Sequence, residues 1–373
     1  MAAQAPLKDQ LFNAQSVGQL AAEYAAAVPS FDAERFIADA LAGFEPRELM
    51  ARLEWLADCI EDQLADDFPT MADQLHAALP PRLDPARSDD DFGDFIHAVP
   101  GILAARHGLE AHRSRAMDLL YEATQRFTME FYIRPFLIRW PDETLALLAT
   151  WARDPNYHVR RLVSEGTRPR LPWAKNVGLM PAQTFPLLDI LHSDPARYVT
   201  RSVANHLNDL SKIEPDAVLA RLALWKKAGE QDDKELAWMT RHALRTLIKQ
   251  GHTGAMAALG YDATVPVTAQ ITLDRDRLSI GEALRFEIVL QADVALPVLV
   301  DYRLTFARPN GKIAHKVFKL KAAQLGANVP LQLRKTHKFK GDATTFALHA
   351  GAHGITAQVN GRDVAEVWFD LTE

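Results

Sequence analysis

One cysteine, Cys59, stands in the whole chain, which excludes a disulfide framework and a cysteine-built zinc site. It lies in the helical-looking stretch RLEWLADCIEDQL with no His and acid around it in a recognisable motif, the setting of a packing thiol rather than a nucleophile. Long apolar runs are missing too: none reaches the roughly 18 to 20 residues needed to cross a bilayer. The opening MAAQAPLKDQLFNAQS lacks the charged-then-apolar order of a secretory signal. Neither a P-loop nor a dinucleotide glycine fingerprint occurs, and His158, His192 and His206 lack a ligand spacing such as HExxH. The expectation is a cytoplasmic protein with no membrane contact, no metal and no nucleotide cofactor.

Acidic residues are scarce in particular places. The net charge of −6 conceals an uneven distribution, and a polyanion-binding surface needs only local basicity. Residues 1–115 hold 9 Lys and Arg against 20 Asp and Glu, whereas 153–212 hold 9 against 5. From 303 to 340 there are ten Lys and Arg, with His315 and His337, and no acid at all. Such a run suits either a solvated sheet face with edge lysines that discourage aggregation or a face that binds a polyanion.

With 373 residues, nearly half of them apolar, two domains are expected. Residues 1–262 read as helix, with apolar residues at three- and four-residue spacing in SVGQLAAEYAAAV, RFIADALAGF and ELMARLEWLADCI. Pro80-Pro81 and the acidic SDDDFGDF at 88–95 break the pattern. An offset of 40 aligns DPNYHVRRLVSEG, DPARYVTRSVANH and KELAWMTRHALRT, setting Arg161 opposite Arg201 and Arg241. That period is HEAT-like. Each unit is predicted as a first helix (141–153, 183–192, 216–227), a short turn, and a second helix carrying the aligned arginine. Asp-Pro is expected to cap two of the second helices, with Pro as their first residue. Stacked units would bury a continuous core and set the arginines on a concave face.

Residues 266–373 alternate instead, giving about seven strands from QITLDRD to VAEVWFDL, with Asn310-Gly311 and Asn360-Gly361 as two-residue hairpin turns. The fold class is therefore an all-α HEAT-like repeat superhelix followed by an all-β, immunoglobulin-like sandwich.

The segment RFTMEFYIRPFL at 126–137, followed by DPNYHVRRLVSEGTRPRLPW at 154–173, resembles the signature of the AlkC-type DNA glycosylases, a HEAT-repeat group. FDAERF at 31–36 and DPARYVTRSVANHLNDLSK extend the likeness over most of residues 10–260. One branch of that family carries a C-terminal immunoglobulin-like module. The resemblance implies removal of N3-methylated bases such as 3-methyladenine and 3-methylcytosine from duplex DNA, with the lesion attacked without being fully turned out of the helix, unlike base-flipping glycosylases.

N3 alkylation makes the base a cationic leaving group, so the enzyme mainly has to stabilise an oxocarbenium-like sugar and position water. A carboxylate does both. Two unit charges about 4 Å apart at an effective dielectric near 20 interact by roughly 4 kcal/mol, worth about a thousandfold in rate. Glu130, inside the family-like segment, is the first candidate and Glu165 the second. Glu122, Arg126 and Glu130 would equally form an exposed i, i+4, i+8 ladder on one helix, and Glu165 could serve to aim Arg161. Arg160, Arg161, Arg168, Arg170 and Lys175 surround Trp173 in the proline-stiffened TRPRLPW region, a pattern suited to phosphate clamping with an aromatic platform. Trp173 could instead anchor the core. Arg201, Asn205 and Lys212 extend the same face, while Lys312, Lys335, Lys338 and Lys340, in RPNGK and KTHKFKGD, would let the sandwich touch DNA. The partner expected is duplex DNA, bound by a monomer. The competing readings are a non-enzymatic repeat scaffold and a damaged-DNA-binding protein without activity.

Overall fold

The computed structural model describes residues 5–89, 91–309, 312–341 and 347–373. Helices run from Leu7 to Ala258 and strands from Thr268 to Thr372. The helices form where apolar spacing and caps agree. Asn13, for example, accepts the N–H groups of Gln15 and Ser16 to open Ala14–Ala27, whose Val17, Leu20, Ala21 and Tyr24 are buried at three- and four-residue spacing. Cys59 is buried, and burial first of all pushes its thiol up to about 11.

The repeat is present as three helix pairs: Pro141–Trp151 with Tyr157–Gly166, Pro181–Leu191 with Arg197–Leu210, and Pro215–Ala228 with Asp233–Ala243. The expected Asp-Pro caps are corrected. Tyr157–Gly166 is capped by Asn156, whose side chain accepts from His158 N–H at 2.8 Å. Asp154 accepts instead from Asn156 N–H (2.7 Å) and the Tyr121 hydroxyl (2.8 Å). In the next repeat Asp194 accepts from Ala196 N–H at 2.8 Å, and the helix starts at Arg197. Both prolines thus sit in Asx-type turns before the helix, because the aspartates bond locally and across to neighbouring elements.

By its internal contacts the chain forms two compact units: residues up to Leu210 with Ala228–Glu235, and Ser211–Lys227 with Leu236–Glu373. The contact boundary therefore falls within the repeat array, while the change from helix to strand comes after Ala258.

Eight strands occur among the described residues: β1 (Thr268–Leu273), β2 (Arg277–Ser279), β3 (Ala283–Gln291), β4 (Leu296–Ala307), β5 (Ile313–Leu325), β6 (Leu331–Lys338), β7 (Gly351–Val359) and β8 (Arg362–Thr372). The addition to the expected seven is β2, whose three residues are too few to show alternation; it pairs parallel with β8. The sheets are β1-β3-β6 and β2-β8-β7-β4-β5. Leu284, Phe286, Ile288 and Leu290 of β3 and Val298, Val300, Tyr302 and Leu304 of β4 belong to one core. Asn360 and Gly361 both have positive φ (49° and 82°) at the β7–β8 turn, as the sequence predicts. A Cβ on Gly361 would come within 2.8 Å of the Gly251 backbone. The Asn310-Gly311 turn lies outside the described residues. The acid-free stretch includes β5 and β6, one edge strand of each sheet.

Candidate active site

The site lies in the first unit and begins where a helix stops. Arg113–Ala123 ends before Arg126, so the expected Glu122, Arg126, Glu130 ladder is corrected. Glu122 and Arg126 do pair at 2.8 Å, and Arg126 also donates to the Pro80 carbonyl (2.9 Å), but Glu130 lies in the turn beyond. There the Thr128 hydroxyl donates to Glu130 Oε2 at 2.8 Å. Arg161, from Tyr157–Gly166, donates to Thr128 Oγ1 at 2.6 Å and to the same carboxylate oxygen of Glu130.

Arg161 is the junction of a buried chain of charges. Its guanidinium lies 4.7 Å from the centre of the Tyr198 ring, and its Nη2 is 3.8 Å from Glu165 Oε2, one helical turn away. Glu165 is only 5% exposed. The Ser202 hydroxyl donates to its Oε2 at 2.6 Å and Arg168 to its Oε1 at 2.5 Å. Arg168 then reaches Asp209 through Nε (3.0 Å) and Nη2 (2.9 Å). The order Glu130, Arg161, Glu165, Arg168, Asp209 sets three carboxylates against two guanidiniums, and the buried guanidinium of Arg134, which feels Glu130, Glu165 and Asp209, balances the charge.

The electrostatics follow from burial and pairing. Burial works against the charge of Glu165, yet Arg161 and Arg168, with bonds from Ser202 and Arg168, hold its pKa below the ordinary carboxylate value. Burial likewise opposes the charge of Arg161, and Glu130, Tyr198 and Glu165 more than offset it, raising its pKa. Arg168 is raised the same way by Glu165 and Asp209 against its own desolvation. Two histidines pack nearby as neutral rings: burial takes both His158 and His206 down to about 4. His206 Nδ1 bonds the Ser164 carbonyl at 3.0 Å.

Only part of this chain reaches open space. A cavity of about 500 Å3 has Phe92, Phe127 and Tyr198 among its walls and Asp94, Thr128, Glu130, Arg161 and Arg201 among its polar lining. Glu165 stands behind that lining. The acidic turn that the sequence shows only as a helix breaker forms part of the wall. Tyr198 N–H donates to the Ser88 carbonyl at 2.9 Å, and Arg201 grips both oxygens of Asp89, one of them at 3.0 Å. Phe92, 49% exposed, meets Tyr198 edge-on at 5.4 Å. Gly93, with φ +68°, passes so close to the Arg126 carbonyl that a Cβ would sit 1.8 Å from the oxygen.

The remaining predicted residues take three kinds of place. Arg160 is engaged inside the protein, by Asp194 at 2.5 and 2.9 Å and by the carbonyls of Asp154 and Pro155 at 2.7 and 2.9 Å. Arg170, Trp173 and Lys175 lie on an exposed loop. Trp173 is 75% exposed with φ 63°, so it is not a core anchor. The loop is pinned from beneath by Arg134, a fully buried residue that donates to the carbonyls of Gly166 (2.9 Å), Arg168 (2.8 Å) and Lys175 (2.6 Å). Asn205 is half-buried in Arg197–Leu210. Lys212, Lys312, Lys335, Lys338 and Lys340 are exposed in the second unit.

Sequence reading misses Thr128, Ser202, Asp209, Arg134, Asp89 and Phe92. Ser202 and Asp209 had a signal: both lie in the repeat that aligns with Arg161 and Glu165.

A family model described as the uncharacterised protein YhaZ C-terminal immunoglobulin-like domain matches residues 267–373. A Bacillus subtilis (strain 168) protein, described as uncharacterized protein YhaZ, is 32% identical over 361 residues, covering 94% of this chain and 96% of that one. Among solved structures, Pseudomonas fluorescens alkylpurine DNA glycosylase AlkC bound to DNA containing an abasic site analog superposes with a TM-score of 0.86. It has 32% identity, covering 99% of this chain and all of that one.

Proposed function

The chain belongs to the AlkC-type DNA glycosylase family, and from that membership we propose that it excises N3-alkylated bases, 3-methyladenine and 3-methylcytosine, from duplex DNA in base excision repair. The observation that carries the reading is Glu130, a carboxylate in the wall of an open cavity, fixed there by Arg161 and Thr128.

As the bond to the alkylated base breaks, positive charge develops on the deoxyribose, and a fixed carboxylate stabilises it without reorganising. Glu130 fills this role and holds the attacking water. Glu165, whose oxygens are taken by Ser202 and Arg168, acts as a positioning residue through Arg161. The Glu130 carboxylate in the cavity wall favours the cationic sugar over the neutral ground state, a preference for the transition state. The cavity is open to solvent, which suits attack on a nucleotide not fully turned out of the duplex.

DNA is gripped by surface groups. Arg170 and Lys175 bind phosphate and Trp173 stacks on deoxyribose or base. Lys312, Lys335, Lys338 and Lys340 give the sandwich its phosphate contacts, and Arg201, Asn205 and Lys212 extend the grip. The protein works as a monomer in the cytoplasm. Duplex DNA treated with a methylating agent, incubated with the protein and resolved by chromatography, tests the reading. Free 3-methyladenine or 3-methylcytosine is the expected product; salt-sensitive DNA binding with no base released would leave a damage-binding protein.

A further inference from the structure

Arg160, Arg161 and Arg168 each hold a carboxylate, whereas Arg134, fully buried, pairs with none among the described residues. Its bonds end on main chain instead. Nε and Nη2 both donate to the Lys175 carbonyl (3.0 and 2.6 Å), and Nη1 donates to the carbonyls of Gly166 (2.9 Å) and Arg168 (2.8 Å). Gly166 ends the helix Tyr157–Gly166, so the cation also meets carbonyls that a helix terminus leaves open. A buried charge without an ion pair tends to neutralise, as at Asp301 of β4, 7% exposed, where burial pushes the carboxyl up to about 6. Arg134 keeps its charge at neutral pH: burial, and behind it Arg168, pull its pKa only down to about 10, opposed by Glu130, Glu165 and Asp209.

The carbonyls of Arg168 and Lys175 are the two feet of the loop that carries Trp173. Leu171 within it and Val177 just beyond are buried, and Ala174 N–H closes a turn on the Leu171 carbonyl at 3.1 Å. Trp173 itself is 75% exposed with φ 63°. A bulky residue seldom adopts that backbone, and such strain persists only where the surroundings over-determine it. Here the surroundings are one planar guanidinium below and two apolar anchors.

Arg168 belongs to both systems. Its carbonyl is a foot of the loop, and its guanidinium lies between Glu165 and Asp209, at the inner end of the chain that leads through Arg161 to Glu130. A shift of the loop's foot is therefore a shift of the residue that holds Glu165.

We propose that Arg134 is a positioning residue that couples DNA seating to the catalytic chain: it sets Trp173 outward to meet DNA and, through Arg168, keeps Glu165 and Arg161 aligned behind Glu130. This role presupposes that the chain excises bases, as proposed. Lysine cannot fill it, because an ammonium is a point charge without the fork that spans three carbonyls.

Single-turnover excision from methylated duplex DNA, with DNA affinity measured separately, tests the coupling in wild type, Arg134→Lys, Trp173→Ala and the double variant. Trp173→Ala should weaken affinity by roughly tenfold, within the range of one base–aromatic stack. Arg134→Lys should weaken affinity as much and also lower the maximal rate by about tenfold or more, since a misplacement of about 1 Å can cost about a hundredfold. The double variant should bind as Arg134→Lys does, because both changes remove one interaction. A merely structural arginine would instead reduce the fraction of active protein and leave the affinity of the remainder at the wild-type value. That result, affinity losses that add in the double variant, or a wild-type maximal rate in Arg134→Lys would each overturn the proposal. If Arg134→Lys does not fold, amide exchange on the wild type decides: Ala174 N–H should be protected in the free protein, and exchange as fast as an open loop until DNA is added overturns it. A wild type that binds DNA but releases no base fails the excision reading instead, and the affinity comparison still decides whether Arg134 sets the loop.

Discussion

The two units carry their positive charge in opposite ways. In the first, the basic stretch that looks most like a DNA-binding face is largely occupied: Arg160 by Asp194, Arg161 by Glu130, Arg168 by Glu165 and Asp209, Arg201 by Asp89. In the second, Lys335, Lys338 and Lys340 lie exposed on or just beyond an edge strand. A surplus of arginine in a sequence therefore does not make a basic surface. Planar guanidiniums suit a dry, bidentate lattice that fixes a carboxylate, whereas lysines stay in water and act on a polyanion at a distance.

That contrast breaks hardest at Arg168, between two carboxylates that are nearly inaccessible. Arg168→Ala leaves Glu165 and Asp209 buried and unpaired and should cost about 3 to 5 kcal/mol in urea unfolding; a loss under about 1 kcal/mol would mean the lattice is not structural. Asp301 is the converse case, a carboxylate whose removal should help. Its folded pKa, about 6, lies above its ordinary 3.8, so the penalty on the fold is absent below pH 4 and complete above pH 6. Asp301→Asn, which keeps a buried polar group, should gain about 1 to 2 kcal/mol at pH 8 and nothing at pH 3.5, as read by urea unfolding at the two pH values.

His158 and His206 give a pH dependence of opposite sign within the first unit. Their folded pKa values near 4 lie below the ordinary 6.5, so the stability they contribute is present above pH 6.5 and lost as pH falls towards 4. His206→Gln should flatten that slope; an unchanged slope would show that the ring titrates in the fold as it does in the unfolded chain. Smaller effects belong to the surface. Trp173→Ala should weaken DNA binding by about 1 to 3 kcal/mol if the ring stacks. Each of Lys335→Gln, Lys338→Gln and Lys340→Gln should lower the slope of log affinity against log salt by about 1. Slopes that stay unchanged in all three would detach the sandwich from the DNA.

The sequence makes the architecture legible because periodicity survives without tertiary information. The forty-residue offset returns as three helix pairs, and Asn360-Gly361 as a turn with two positive φ values. What it hides depends on contacts between distant segments. Glu130 continues an i, i+4 pattern from Glu122 on paper, yet the helix ends at Ala123 and the turn delivers Glu130 to Arg161 instead. Asp209 meets Arg168 across 41 residues, and the turn at 88–94 reaches Arg201 across 112. Periodicity says nothing about such closures. Candidate residue types were visible, but not which arginine each carboxylate would hold.

The most direct test is single-turnover excision from methylated duplex DNA by wild type, Glu130→Gln and Glu165→Gln, with DNA affinity measured in parallel. Glu130→Gln should lose about a thousandfold in rate at unchanged affinity, while Glu165→Gln, acting through Arg161, should lose less and show altered thermal stability. Full activity in Glu130→Gln together with loss in Glu165→Gln would move the reacting carboxylate to the buried position and contradict the assignment of the cavity-lining one.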